Sequence, residues 1–386
     1  MAGLSENKCD NENINNKLNS EYITSKDIGT DYNYKHEIVW HNIVFFSVLH
    51  FFGLWGAYIF FSGGICFKTY VWFLIVMTML GFGITAGAHR LFTHKCYKAT
   101  TALKVFLILM QTASGQNSLF VWIRDHRLHH RFSDTDGDPH NSKRGFFFSH
   151  VGWLLTKKHP YVKELGKRID MSDIKADELI MLQKKYYPYI FVVTSLLVPV
   201  GVPYYFFGEP FVTSLLVCFF ARYVIQLNGT WLVNSAAHLY GTRPYDKKLQ
   251  PVESWFVSLF SYGEGWHNYH HAFPWDYKAA ELPTFINPST AFIDLCAKLG
   301  LAYDLKTASH EMVVNRIMSS GDGTHFDLGN DEAKSAVTAT GIVHPLNITY
   351  NVTYPPPNTA LSEEGLPLCE REALQQTTFQ RRSAKA

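Results

Sequence analysis

Residues 38–67 read IVWHNIVFFSVLHFFGLWGAYIFFSGGICF, thirty positions without a Lys, Arg, Asp or Glu. A helix needs about 20 apolar residues to cross the hydrocarbon core of a bilayer. Core helices of soluble proteins rarely run so long without one charge. Three similar runs follow. Thr69–Ala88 is uncharged over 20 residues, Tyr187–Phe207 over 21, and Pro210–Ala237 over 28 with Arg222 as its one charge. The predicted fold class is an all-α integral membrane protein. Four transmembrane helices are expected at about 42–65, 69–88, 187–207 and 210–233. They form two hairpins, because the connections Ser62–Lys68 and Gly208–Glu209 are short.

Averaged composition conceals this segregation. The 386 residues carry 35 Lys+Arg against 33 Asp+Glu, a net charge of +2, which excludes a basic nucleic-acid binder. Charged residues make up 18% of the chain, below the roughly 25% of a soluble domain. Between the hairpins, residues 89–186 hold 17 Lys+Arg and 9 Asp+Glu, a net of +8, whereas each hairpin tip carries one charge. Positive residues mark the cytosolic side. Both termini and a helical cap are therefore expected in the cytosol, with Leu103–Trp122 and Val252–Phe260 as interfacial helices. Three regions follow: a polar segment at 1–37, a membrane domain at 38–318, and a polar tail at 319–386 that reads as mobile. The start shows no apolar h-region of a signal peptide. The sequons at Asn228, Asn347 and Asn351 fall in a span or on the cytosolic side. Six cysteines show no CxxC spacing, which supports neither a disulfide framework nor a thiolate metal site.

Half of the 18 histidines are clustered. His89 and His94 begin where the second run ends. His126, His129 and His130 form H-x-x-H-H, as do His267, His270 and His271, and His238 closes the fourth run. On a helix, positions i, i+3 and i+4 share one face, so each H-x-x-H-H presents three imidazoles together. His89 and His94 lie about 140° apart on an ideal α-helix, and share a site only where the helix bends or ends. Nine imidazoles exceed the needs of one tetrahedral zinc and suit two metals with four or five nitrogens each. Iron, copper and zinc all accept imidazole, and open positions on iron suit oxygen chemistry. A four-span zinc transporter or sensor is the rival from another class, but transport sites lie near the bilayer midplane. His140 and His150 are the candidates for groups supporting the ligands.

The three histidine boxes resemble those of membrane fatty-acyl desaturases and hydroxylases. The strings around them are more specific. DPHNSKRGFFFSHVGWLL (138–155), WLVNSAAH (231–238) and GEGWHNYHHAFPWDY (263–277) resemble the stearoyl-CoA (acyl-CoA) desaturase family, most of all its insect and moth members of the Δ9/Δ11 type. The resemblance covers about residues 38–318. It implies an enzyme of the endoplasmic reticulum membrane that forms a double bond in a saturated long-chain acyl-CoA. It also implies O2 as co-substrate and electrons from cytochrome b5 and its NADH-dependent reductase. Two irons would be held by His89, His94, His126, His129, His130, His238, His267, His270 and His271, with Asn234 acting through a water. A hydroxylase sharing the boxes is the nearest rival.

The resemblance further implies that Gln116, Trp122 and Thr230 line the bend of an acyl tunnel, and that Met77 and Gly81 lie at its methyl end. Vertebrate members carry a bulkier Tyr at the position of Met77, and Gly81 has no side chain. A longer or differently registered chain, and departure from simple Δ9 placement, are the expectation. Δ11 placement with a role in pheromone biosynthesis is one reading; Δ9 housekeeping on stearoyl- or palmitoyl-CoA is the other. For CoA, the matching positions are Asn117, Arg124, Asp125 and Trp231, with Lys157 and Lys158 near its phosphates and Asn42 as a further contact.

Overall fold

The structure is a computed structural model that describes residues 23–281 and 287–329. Most of the polar segments expected at 1–37 and 319–386, with the sequons at Asn347 and Asn351, lie outside the described residues.

Among the described residues, four helices are long and apolar enough to cross a membrane: α1 (Trp40–Phe61), α2 (Phe67–Thr93), and, after several shorter helices, Glu178–Phe206 and Phe211–Leu239. The two longest of the shorter helices are α3 (Thr101–Ala113) and α4 (Leu119–Phe132), and the later spans are α5 and α6. The cap also holds the helix Pro160–Arg168 and, after the spans, α7 (Trp255–Phe260), α8 (His267–Ala272), α9 (Pro288–Lys298) and α10 (His310–Ser320). A short antiparallel ribbon, Lys98–Ala99 with Ala302–Tyr303, is a small departure from an all-helical chain.

The spans outrun the uncharged stretches. α2 continues past Ala88 through Thr93, and α5 starts at Glu178 because the Asp177 carboxylate accepts from the Leu179 and Ile180 N–H groups. α1 stops earlier than expected, at Phe61, where Gly63 turns the chain at φ +76°. The expected interfacial helix Leu103–Trp122 is two helices, since Gly115 and Asn117 adopt positive φ and break it. Val252 and Glu253 are extended, with Glu253 bridging Thr242 and Trp266, so that helix starts only at Trp255.

Burial divides the spans. The most apolar windows of α2 and α6 are 61% and 56% buried, against 22% for α1 and α5. The histidine-bearing spans are therefore the inner pair, and the outer pair faces lipid. α1 reaches α6 by backbone contact. A Cβ on Gly56 would lie 1.9 Å from the Leu216 carbonyl, so only glycine allows this approach. Residues before α1 join the cap, where Ile38 bridges Thr156 and the Asp136 N–H donates to the Gly29 carbonyl.

At the opposite end, one carboxylate ties the hairpin tips. Glu209 is buried, and its Oε2 accepts from the Cys66 N–H at 3.0 Å and the Thr69 hydroxyl at 2.7 Å. It sits at the N-terminus of α2, where negative charge is favoured. Glu209→Ala removes the acceptor of the buried Thr69 hydroxyl and of the N–H of exposed Cys66 and is expected to cost about 1 kcal/mol. Thermal unfolding in detergent should fall accordingly, with metal content at the distant cap unchanged. An unaltered melting temperature would show that the latch contributes nothing.

Candidate metal centre

The two H-x-x-H-H boxes sit on helices, as expected, but neither serves one metal. His89, His94, His126, His130 and His270 form one group, with ligand atoms all within 4.8 Å of one another. His129, His238, His267 and His271 form a second. Positions i and i+4 of each box thus enter one group, and i+3 enters the other. The three-on-one-face expectation is corrected by geometry. Position i+3 lies about 60° short of i, while i+4 lies about 40° beyond it. The middle histidine therefore leans to the other side and crosses between the groups.

His89 and His94 meet through a third kind of helix. Gly83–Thr93 is π-helical, and the His94 N–H donates to the His89 carbonyl at 3.1 Å. An i→i+5 turn stacks residues five apart on one face. The bend or end expected from α-helical spacing is thus a change of winding. In the first group, Nε2 atoms are 3.0 Å apart for His89–His270 and His270–His130, and 3.1 Å for His94–His126 and His126–His130. Metal–nitrogen bonds of about 2.1 Å at right angles separate neighbouring nitrogens by about 3.0 Å. Five donors at this spacing suit a six-coordinate ion with one position open. In the second group His267 and His271 approach to 3.2 Å, and buried His238 Nε2 has no protein partner. That orphaned nitrogen and the all-imidazole donor set fit a metal.

Carboxylates behind the rings set their tautomers. Glu264 Oε2 lies 2.7 Å from His89 Nδ1, Asp138 lies 2.8 Å from His129 Nδ1, and Asp134 lies 3.2 Å from His238 Nδ1. Each places the proton on Nδ1 and turns the Nε2 lone pair inward. Fully buried Arg90 anchors Glu264 through Nε and Nη2 and also reaches the Tyr277 and Lys278 carbonyls. These four residues were missed, although Glu264 stands three before His267 and Asp134 and Asp138 follow His130 closely. A search for carboxylates beside each box would have found them. Of the two candidate supports, His140 lies 3.3 Å from Asp138, while His150 bonds Ser235 and Asn228 instead.

The stretch Gln250–Glu253 ties the second group together. The Val252 N–H donates to the Ala237 carbonyl, beside His238, and the His267 N–H donates to the Val252 carbonyl. The Glu253 carboxylate accepts from the Tyr269 N–H, and burial pushes it up to about 8.

The remaining expected positions divide. Gln116 and Thr230 meet, the amide donating to the hydroxyl at 2.8 Å, and Trp122 stacks on His126 at 4.9 Å. Arg124, Asp125 and Lys158 form one ion-pair cluster. Lys157 pairs with Glu37, the carbonyl of exposed Asn117 accepts from the Gln111 amide, and the Asn42 amide donates to the Leu154 carbonyl. Trp231 is 4% exposed, enclosed between His50, Phe46 and His150. Half-buried Asn234 ends the main stretch of α6, four residues before His238. Met77 packs near Phe60 and Phe73. Gly81 opens no space: the Tyr262 ring lies where its Cβ would be, 2.5 Å away.

Electrostatics favour metal over protons. Burial holds His94, His126, His130, His267, His270 and His271 well below the ordinary histidine value. His129 differs: burial lowers it, but Asp138 and Asp134 reverse the direction and raise it. The six are neutral at neutral pH, and the stability linked to them is full above about 6.5 and lost as pH falls below it. Acidification of the solubilised protein should release metal and destabilise the cap together; loss confined to alkaline pH would contradict this. Glu264→Gln or Asp134→Asn should weaken metal affinity about 10–100-fold, as measured by metal content after chelator challenge. Full retention in both would remove these carboxylates from the site.

The family model described as fatty acid desaturase matches residues 67–303. The chain is 50% identical over 293 residues to the "Acyl-CoA Delta-9 desaturase" of Acheta domesticus, covering 76% of this chain and 81% of that one. It is 51% identical to the "Stearoyl-CoA desaturase" of Homo sapiens, over 75% and 80% of the two chains. It is 49% identical to the "Acyl-CoA Delta12-desaturase" of Acheta domesticus, over 76% and 82%. With four membrane-length helices and two histidine groups where the inner pair meets the cap, this chain belongs to the fatty acid desaturase family.

Proposed function

We propose that this chain is an acyl-CoA desaturase of the endoplasmic reticulum membrane, forming a double bond in a saturated long-chain acyl-CoA. The observation that carries the reading is nine imidazoles, grouped five and four where the inner spans meet the cap, in a chain of this family. The names of the relatives supply acyl-CoA as the substrate class. Two irons are the metals of choice, since iron accepts an all-nitrogen donor set and keeps positions open for oxygen chemistry. Iron bound here would supply the O2-dependent removal of two hydrogens from adjacent carbons, with two waters formed, a step beyond side-chain acids and bases.

The chain's own residues bind, orient and exclude water. Nine histidines are the proposed ligands, with Asn234 contributing through a water. Glu264, Asp134 and Asp138 hold the tautomers. Trp122 covers His126, and the Gln116–Thr230 pair bends the acyl chain beside it, fixing which carbons approach. Arg124, Asp125 and Lys158 form the polar mouth for CoA, with Asn117, Lys157, Asn42 and Trp231 as further contacts. The excess of positive charge at 89–186 supports a cytosolic cap and cytosolic termini. There cytochrome b5, reduced by its NADH-dependent reductase, delivers electrons one at a time.

Relatives named for Δ9 and Δ12 placement match at nearly equal identity. The names of the relatives do not choose between positions, but the filled space at Gly81 removes the ground for expecting a deeper tunnel, and Δ9 placement is the reading adopted. Δ11 placement and a pheromone role rest on resemblance alone.

Expression in desaturase-deficient yeast, followed by gas chromatography–mass spectrometry with double-bond derivatisation, tests the proposal. Monounsaturated products at Δ9 are expected. His126→Ala and His267→Ala should reduce them to background while the protein still inserts in the membrane. Products heavier by one oxygen would favour the hydroxylase rival. Substantial desaturation by either variant with iron bound would refute the ligand assignment.

A further inference from the structure

His50 and His150 stand outside the two metal groups, and a chain of hydrogen bonds joins them across α6. Asn228 lies between them. Its Nδ2 donates to the Val224 carbonyl at 2.8 Å and lies 3.3 Å from His50 Nε2, and its Oδ1 lies 3.1 Å from His150 Nε2. At its ends the chain reaches the Phe46 carbonyl, 2.7 Å from His50 Nδ1, and the Ser235 hydroxyl, 2.9 Å from His150 Nδ1. It thereby joins α1, α6 and the cap. A titratable side chain within a span, such as His50, calls for a named partner and a role.

Chemistry fixes the direction of each bond. A carbonyl only accepts, so His50 carries its proton on Nδ1, and its Nε2 accepts from the Asn228 amide. The Asn228 oxygen then accepts from the N–H at His150 Nε2. Burial lowers His150 below the ordinary histidine value, which keeps the ring neutral and leaves Nδ1 as an acceptor. The Ser235 hydroxyl is its donor. That hydroxyl also lies 2.8 Å from the Trp231 carbonyl, which already accepts from the Ser235 N–H at 3.1 Å. Phe146 stacks on the His150 ring at 5.1 Å, and Trp231 meets it edge-on at 5.7 Å, so the ring has little freedom to turn away.

Ser235 is where α6 breaks. From Arg222 the helix runs regularly to Asn234. Ser235 then departs from the usual helical values, at φ −111° and ψ −75°, and a last turn, Ala236–Leu239, carries His238. The His238 N–H donates to the Ser235 carbonyl at 3.1 Å, so the direction in which His238 leaves the helix is set at Ser235. Asp134 fixes the tautomer of the His238 ring; the aim of its backbone is a separate requirement. We propose that His150 is a positioning residue for His238, acting through the Ser235 hydroxyl. This rests on the metal-binding reading of the second histidine group. His150 clamps the break to the cap, while Asn228 and His50 brace it against α1, and the last turn of α6 keeps one aim.

The test loads the detergent-purified parent protein, His150→Gln, His150→Leu and Ser235→Ala with ferrous iron and follows iron per chain during chelator challenge. Glutamine offers a donor and an acceptor, as neutral imidazole does, whereas leucine keeps only apolar bulk. His150→Leu and Ser235→Ala should hold iron in one of the two groups about tenfold more weakly than the parent, within the range for a group that orients a metal ligand. His150→Gln should follow the parent. Ser235→Ala removes a single hydroxyl, so it reports on the link even where the leucine variant does not fold. Parental retention in Ser235→Ala or His150→Leu overturns the proposal, and so does loss from His150→Gln as severe as from His150→Leu. A parent protein that takes up no iron overturns the metal reading, and the proposal with it.

Discussion

Gathering nine imidazoles in a space shielded from water is tolerable only while most of the rings are neutral and their proton positions fixed. Protonated rings with nitrogens about 3 Å apart would repel strongly, and burial removes the solvent that would screen them. Three carboxylates answer the second requirement, each holding a proton on the outward nitrogen of one ligand. Those carboxylates are buried charges in turn. Asp138 and Asp134 accept backbone N–H groups from their own loop, and Glu264 has Arg90. Order therefore propagates outward from the imidazoles, through the carboxylates, to the loops that fold over the spans. The cap reads as the support of a polar interior, which also explains why so little of it is regular helix.

The membrane contributes the opposite constraint. α1 and α5 are clothed in apolar side chains and present them outward, while α2 and α6 pack inward and reach the cap. With the hairpin tips tied at Glu209 and α1 seated against α6 through Gly56, the inner helices have little freedom to tilt. Ligands carried at the ends of such helices keep their spacing because the error at each helix end is small. A site built on loops alone would need more internal bonding for the same precision.

The spans and the nine histidines were legible in the sequence, because hydrocarbon thickness and imidazole chemistry leave direct marks on residue type and spacing. The ends of the spans were less so. α5 starts among charged residues because Asp177 caps it, a local effect that a scan for uncharged runs passes over. The winding of α2 was not legible, since GITAGAHRLFT suits an α-helix as well as a π-helix, and only the need to stack His89 over His94 selects the latter. The sharing of each H-x-x-H-H box between two groups follows from placing the boxes face to face, which is tertiary information. Gly81 was misread for the same reason. A missing side chain looks like empty space until Tyr262, 181 positions later, is found in it.

Crossed sharing of the boxes bears on how metals enter. A helix that sends two histidines to one group and one to the other cannot turn to suit either ion alone. The first ion to bind fixes the rotation of α4 and α8, and with it the three donors those helices lend to the neighbouring group. The ordering cost is met largely once, so the second ion meets a preformed site. Singly loaded molecules should then be scarce beside empty and full ones. A cell short of the metal would hold a population of complete and incomplete enzymes, each of one kind, and total activity would follow the number of complete molecules with little change in the turnover of each.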